Sequence, residues 1–564
     1  MQLDAIFANG RITTLDPERP AATSLGVIGG VIAGFDEELD GSTASVRYDL
    51  GGAHVVPGFN DAHQHLSARG QDLQKCDVSP AAVGDLASLY ARIAEHAARV
   101  PEDAWVLATG YDDSKLDAPP TREGLDAAAG GRPVWLVHCS HHSGALSTEA
   151  IRRIGYGDPR DLPDLDGGFV ERRPDGDPTG FIAERTVELV TAVLRPVPQQ
   201  DMIEAIALGN RAALAEGITS VTEPGIAGQL AGNGPADLDA FLTARERGLL
   251  DVRMTLMPEI SALHPLGANG NRGFGLDLGM RTGMGDDHVR IGPVKLFSDG
   301  ALTARTAAMN ADYADRVLWK GFLREDAAVL REQIVTAHRH GWRVATHAIG
   351  DAAVDVVLDA YEHAQAAMPR PGVRHRVEHA GVTSDAQIRR FKELGVIPIP
   401  QARFLSELGD EYLEAVGEER GRLLYRQRSF LDAGIELPGS SDSPVVDGAP
   451  LKGIHALVNR EIPGGRNLNP AEALTPEQAL RAFTYGSAYA DHQEHRKGTL
   501  TRGKLADFAV LSDDVLAVDP ARIGDVEVQA TIIGGEVKFG DVTCSGTPRA
   551  QSSGPARDPR AWRG

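Results

Sequence analysis

In the stretch "PGFNDAHQHL" two histidines, His63 and His65, stand two residues apart, straight after a short apolar run. In extended chain, residues i and i+2 point to the same side, so both imidazoles address one spot. His347 in "VATHAIGD", His379 in "HRVEHAG", Asp442 in "LPGSSD" and Lys295 in "VRIGPVKLF" each lie near the end of a comparable run. Imidazole and carboxylate are donors suited to Zn²⁺ and neighbouring divalent metals. Taken singly, each has an ordinary explanation: a surface His-x-His, a hydrogen-bonded polar histidine, a capping aspartate, a strand-end lysine. Taken together, they predict one metal centre holding one or two divalent ions, with Zn²⁺ the leading candidate. Lys295 is the odd member, since an ammonium cannot bind a metal. Buried near cations, its amine would tend to lose its proton. A neutral amine can add CO₂ to give a carbamate, an anionic ligand able to bridge two metals. The competing reading of Lys295 is an ammonium that binds substrate.

These residues need elements that bring them together. Eight short β-branched runs punctuate the chain: "AHVVPGFN", "GITSVTE", "DVRMTLM", "VRIGPVKLF", "WRVATHA", "VRHRVEHA", "GVIPIPQ" and "GIELPGSSD". Helical patterns over Met202–Glu216, Glu325–His340, Ala352–Ala367 and Ser384–Leu394 separate many of them. Such alternation predicts an α/β protein with a parallel (β/α)8, TIM-like barrel. Reactive groups of a TIM barrel sit at the C-terminal ends of its strands, where these six residues fall. The gap after the first run, about 67–200, is too long for one βα unit. It carries strand-like pieces of its own, "AWVLATG" and "PVWLVHCS", and reads as an inserted subdomain over the barrel mouth. Short strands and turns at both chain ends predict a small β-sandwich built from 1–56 and 491–545, flanking a barrel domain over 57–490. The tail, 546–564, is rich in Gly, Pro, Ser and Arg and is expected to be disordered.

Composition narrows the partners. The chain has 564 residues, 42% of them apolar, and a formal charge of −22. That charge argues against nucleic acid, whose phosphates call for Lys and Arg. No run approaches the roughly 18 apolar residues of a membrane span, and no secretory leader is evident. The cysteines Cys76, Cys139 and Cys544 form no paired framework, which fits a reducing cytosol. The expectation is a cytoplasmic enzyme with a small-molecule substrate. A homodimer is expected only on the general prevalence of two-fold pairs.

At this point the chain resembles the amidohydrolase superfamily, and within it the metal-dependent hydrolases of the amidohydrolase-3 type, which include deformylases of N-substituted formamides. The resemblance rests on "VVPGFNDAHQHL", "PPTREGLDAAAGGRPVWLVHCSHHSGALS", "GITSVTEPG", "VKLFSDGALTARTA", "ATHAIGDAAVD", "RVEHAG", "SSDSPV", "LTPEQALRAFTYGSAYA" and "KGTLTRGKLADFAVLSDD", almost end to end. It implies that His63, His65, His347 and His379 bind metal, that Asp442 is ligand and proton shuttle, and that Lys295 is the carboxylated bridge. It also implies the β-sandwich already read from the chain ends. Where relatives carry Gly-His, this chain has His141-His142, and His142 would face substrate.

The expected chemistry is hydrolysis of a non-peptide amide or N-formyl-type bond. A metal lowers the pKa of bound water to about 7, supplying hydroxide at neutral pH. Asp442 would act as general base and then general acid. His142, Asp299 and Arg305 are candidates for positioning substrate; Asp299 and Arg305 also fit plain loop roles in "FSDGALTART", and Glu184 is a weaker candidate. Alternatives are a deaminase or a cyclic amide or carbamate hydrolase of the same superfamily, and a non-catalytic regulatory relative. Lys295 argues against the deaminase, and the complete ligand set against the non-catalytic protein. "GTLTRGK" mimics a phosphate loop, but Leu505 stands where Ser or Thr should follow.

Overall fold

The computed structural model describes residues 1–80, 82–138, 143–165, 168–184, 186–228, 232–268 and 271–546. The chain forms two compact units, one of 1–66 with 210–564 and one of 67–209.

In the first unit strands from the two chain ends pair with one another. One sheet has the order Thr543–Gly546, Thr43–Asp49, Gln2–Ala8, Leu25–Ile28, Val31–Phe35. The other runs Glu536–Gly540, Val528–Ile533, Phe508–Leu511, His54–Pro57, Arg11–Asp16, Arg19–Ala22. Phe7, Leu25, Val27 and Val46 from one sheet share a core with Ile12, Val55, Phe508 and Ile532 from the other. The Phe7 ring meets Phe508 edge-on at 4.9 Å. His142, and the tail beyond Gly546, lie outside the described residues.

The same unit carries a TIM-barrel-like α/β arrangement of parallel strands. Phe59–Asp61, Ile218–Ile226, Arg253–Pro258 and Val289–Ile291 form one four-stranded sheet. Val294–Phe297, Val344–Ala348, Arg376–His379 and Ile397–Ile399 form a second. Helices Ala327–Arg339, Asp351–Ala367 and Asp385–Leu394 connect strands of the second sheet. The last of these has a reciprocal cap between Ser384 and Gln387 and ends on Gly395 in the left-handed region.

Three expectations about the strands are corrected. The first run divides at Gly58: His54–Pro57 joins the chain-end sheet and Phe59–Asp61 the parallel sheet. Any side chain at residue 58 would collide with Thr219, so glycine lets the two sheets approach there. The fourth run divides at Gly292-Pro293, one half in each parallel sheet. Pro293 has no N–H to continue the ladder. The eighth run forms no regular strand. Pro438 interrupts it, yet it receives single bonds from both sides, Ala62 N–H to the Gly439 carbonyl at 3.0 Å and Ala402 N–H to the Ser440 carbonyl at 3.1 Å. The ladders therefore make two sheets rather than one continuous eight-stranded ring.

The second unit holds a six-stranded mixed sheet in the order Gly168–Arg172, Pro178–Glu184, Ser143–Leu146, Val134–His138, Val106–Tyr111, Cys76–Asp77. Helices Leu86–Ala97 and Arg122–Ala128 contribute Leu89, Ile93 and Leu125 to a core with Val106 and Leu136. Among the described residues no helix is long and apolar enough to cross a membrane.

Candidate metal centre

The centre is built where the end of Phe59–Asp61 meets the segment after Ser440. Asp61 clamps the two. One carboxylate oxygen accepts the His63 N–H at 3.0 Å and the Ser441 N–H at 3.2 Å; the other accepts the Ser441 hydroxyl at 2.6 Å and Gln64 Nε2 at 3.1 Å. Asp442 donates its own N–H to the His63 carbonyl at 2.7 Å. Two site residues have backbone that non-glycine residues rarely adopt, Asp442 at φ 60° and His379 at φ 73°. Such conformations gather at functional sites. Here they fall at the end of the strand Arg376–His379 and in the segment after Ser440.

Asp442 Oδ1 lies 3.3 Å from His63 Nε2 and 3.4 Å from His65 Nε2, and Oδ2 lies 4.0 Å from His379 Nδ1. One donor atom from each of His63, His65 and Asp442 falls within 4.8 Å of the others. The His379 ring is 5.1 Å from the His63 ring and 4.4 Å from that of His347, centre to centre. Four of the predicted histidines and the predicted carboxylate are thus brought together.

The hydrogen bonds around the rings decide which nitrogens are left over. His63 Nδ1 bonds the Glu378 carboxylate, which only accepts, so the proton sits on Nδ1 and Nε2 keeps a lone pair. His379 Nδ1 bonds Gln401 Oε1 at 2.7 Å; the Gln401 amide nitrogen donates to the Ile399 carbonyl at 3.0 Å, which fixes its orientation. His347 Nε2 donates to the Gly300 carbonyl at 3.0 Å, leaving Nδ1 as its lone-pair nitrogen. Metal-binding histidines are ordinarily held this way, one N–H spent on an acceptor and the other nitrogen free.

The electrostatics agree. Burial, then the charges of His379 and Lys295, hold His347 far below the usual imidazole range. Burial above all brings His379 down to about 3 and lowers His65. His63 is also penalised by burial and by Lys295, but Asp442 and Glu378 outweigh both and its pKa rises. Burial would raise Asp442; the histidines around it prevail and keep it ionised, well below the usual carboxylate range. The field at His63 therefore favours positive charge among lone-pair nitrogens and a carboxylate, and this donor set fits a divalent cation of the zinc type.

Lys295 is 1% exposed on Val294–Phe297. Its Nζ lies 4.9 Å over the Phe297 ring. Burial lowers its amine to about 8, against the opposing pull of Glu378 and Asp442. Asp299 is spent on the backbone. It accepts N–H bonds from Ile349 at 3.1 Å, Gly350 at 2.9 Å and Ala308 at 3.0 Å, with its Oδ1 3.5 Å from His347 Nε2. Burial raises it to about 7 despite those bonds. Asp299 thus organises the loop around His347. Arg305, a candidate for positioning substrate or for a loop role, is 5% exposed. Its guanidinium donates to the Leu302 and Thr303 carbonyls at 3.1 and 2.9 Å and to Asp315 at 2.8 Å, so it binds its own loop. His142 and the Glu184 side chain fall outside the described residues.

Glu378, Gln401 and Asp61 were not foreseen among the site residues. Alternation along the strand hides Glu378, because it turns that residue to the face opposite its neighbour His379. In the second unit Asp112, Asp113 and His138 also place donor atoms within 4.8 Å of one another, in a more exposed setting.

A TIM-like scaffold with histidines and a carboxylate at its strand ends defines the class, a metal-dependent hydrolase. Comparison with known proteins specifies it. The model of the amidohydrolase family matches residues 47–539. The putative amidohydrolase YtcJ of Bacillus subtilis is 28% identical over 547 residues, covering 95% of this chain and 99% of its own. N-substituted formamide deformylase of Arthrobacter pascens is 28% identical over 559 residues, covering 95% and 98%. A metal-dependent hydrolase from Pyrococcus horikoshii, solved by crystallography, is 26% identical with a TM-score of 0.73, covering 92% of this chain and 99% of its own. The chain belongs to the amidohydrolase family and is a metal-dependent hydrolase of carbon–nitrogen bonds.

Proposed function

We propose that this enzyme hydrolyses a non-peptide amide of a small molecule, with N-formyl amides the leading substrate class. The observation that carries the reading is the convergence of one donor atom each from His63, His65 and Asp442 within 4.8 Å, with His63 Nε2 left over by the Nδ1 bond to Glu378. The full-length similarity to N-substituted formamide deformylase supports the N-formyl class. In this reading His63, His65, His347, His379 and Asp442 hold the metal, with Lys295 as a carbamate completing the set. The two parallel sheets of the TIM-barrel-like unit would present them at their C-terminal strand ends.

When bound, the metal acidifies water and polarises the substrate carbonyl. Asp442 takes the proton from the attacking water and passes it to the amide nitrogen as the carbon–nitrogen bond breaks, giving a carboxylic acid and an amine. Glu378 and Gln401 hold the His63 and His379 rings, and Asp61 holds the turn between His63 and Asp442. The Lys295 amine adds CO₂ with release of one proton, which burial assists by disfavouring the ammonium.

Metal analysis and a panel of N-formyl, N-acyl, cyclic amide and carbamate substrates test this. A bound divalent ion, hydrolysis in the N-formyl set, and a 10²–10⁴-fold fall in kcat/KM for Asp442→Asn are expected. A protein that binds no metal, and gains no activity with Zn²⁺, Mn²⁺ or Co²⁺, overturns the reading.

A further inference from the structure

Behind His63 a line of charged side chains runs through the interior of the parallel strands. Glu378 bonds His63 Nδ1 with Oε2. Arg376 grips the same carboxylate twice, Nε to Oε1 at 2.8 Å and Nη2 to Oε2 at 2.9 Å. Its Nη2 also donates to the carbonyl of Ala62, the residue before His63, at 2.6 Å. On the far side Arg376 Nη1 lies 3.4 Å from Asp491 Oδ1, and Asp491 Oδ2 accepts the Thr222 hydroxyl at 2.9 Å. Arg376 and Glu378 are fully buried, and Asp491 is 5% exposed. Asp491 comes from the opposite direction to the metal ligands. It follows the helix Ser487–Ala490, and the Ala490 carbonyl is bound by Arg343, just ahead of the strand Val344–Ala348.

We infer that Asp491 is a positioning residue for His63, acting through Arg376 and Glu378. A buried ion pair is costly to keep, and apolar residues of similar size often serve stability as well. This pair has a second engagement at each end, a histidine ring at one and a carboxylate at the other. With Asp491 present, Arg376 divides its charge between two carboxylates. Glu378 then keeps more negative character for the His63 N–H, which orients the ring and makes Nε2 a better donor. With Asp491 neutral, Arg376 draws on Glu378 alone and the His63 bond weakens. The Arg376 bond to the Ala62 carbonyl links the same chain to the backbone that carries His63.

The inference rests on His63 being a metal ligand. The test compares Asp491→Asn, Thr222→Val, Glu378→Gln and His63→Ala in the full chain. Zn²⁺ affinity is read by chelator competition and ligand geometry by the visible spectrum of the Co²⁺ form. Asn keeps the shape and acceptor oxygen of Asp491 but removes its charge. Glu378→Gln is expected to weaken Zn²⁺ binding about 10–100-fold, the usual range for a residue bonded to a ligand histidine. Asp491→Asn is expected near the low end, about 10-fold, with a shifted Co²⁺ spectrum. Thr222→Val, which keeps every charge, moves both in the same direction by less. A purely structural Asp491 would lower thermal stability and leave the affinity and spectrum of the folded protein unchanged, and that result overturns the inference. Should Asp491→Asn not fold, an unchanged affinity in Thr222→Val overturns it. If His63→Ala still binds metal normally, the metal assignment itself falls. If His63→Ala loses metal while Asp491→Asn does not shift it, only the positioning role falls.

Discussion

Gln401 offers a clean test of how the site is organised, because it touches the centre through one ring. Its Oε1 accepts His379 Nδ1–H at 2.7 Å, and its amide donates to the Ile399 carbonyl at 3.0 Å and the Ser440 hydroxyl at 3.4 Å. Gln401 is fully buried and His379 is 3% exposed, so water does not replace what is lost. Gln401→Met preserves length and removes the acceptor. The stranded ring N–H costs about 1–3 kcal/mol, and the ring can shed that cost by moving its proton to Nε2. That is the nitrogen the metal needs, so the cost reappears as weaker binding. The expected loss in Zn²⁺ affinity is about 10–100-fold, equivalent to about 1.4–2.7 kcal/mol. Gln401→Glu restores an acceptor at the same place and should recover most of the affinity. Titration of the metal-free protein against a competing chelator reads both variants. Equal Zn²⁺ affinity in wild type and Gln401→Met would refute the claim that His379 is held for metal by this bond.

Two further outcomes follow from groups outside the centre. His375 is buried, accepts the Val344 N–H at 3.0 Å, and pairs with His338 at 2.8 Å; burial, then the charges of His338, Arg370 and Arg343, hold its pKa far below the ordinary 6.5. The unfolded chain then binds the extra proton first, so stability present above about pH 6.5 is lost as pH falls, by up to about 1.4 kcal/mol per pH unit for one group. Denaturant unfolding between pH 7 and 5 should show a shallower pH slope for His375→Gln, and an unchanged slope contradicts the assignment. Arg305→Ala should loosen its loop by about 1–3 kcal/mol, seen as faster limited proteolysis within 299–326, with little change in KM. A large rise in KM without faster cleavage would return Arg305 to substrate binding.

The local signals in the chain were sufficient for much of the fold. β-branched runs marked where His347 and His379 would stand, whereas His63 and His65, read as part of an extended segment, lie beyond the strand Phe59–Asp61, starting in a bend. The pairing of the two chain ends was legible from turn-rich strands at both. Breaks inside runs were not, although Gly58 and Gly292-Pro293 sat in plain view. A glycine signals a close approach only once the neighbour it approaches is known, here Thr219 for Gly58. Arg305 shows a related limit, because the sequence left a loop role and a substrate role open, and its carbonyl partners appear only in the folded chain.

Ligand types and their local period belong to the sequence, since both follow from side-chain chemistry and backbone geometry within a few residues. The lone pairs belong to the tertiary structure. His63 meets Glu378 across 315 positions, and Arg376 meets Asp491 across 115. Strict alternation would turn Glu378 and His379 to opposite faces; φ of 73° at His379 brings both to the centre. Only the folded chain, by excluding water and setting an acceptor against the His63, His347 and His379 rings, decides which of their nitrogens is left to bind a metal.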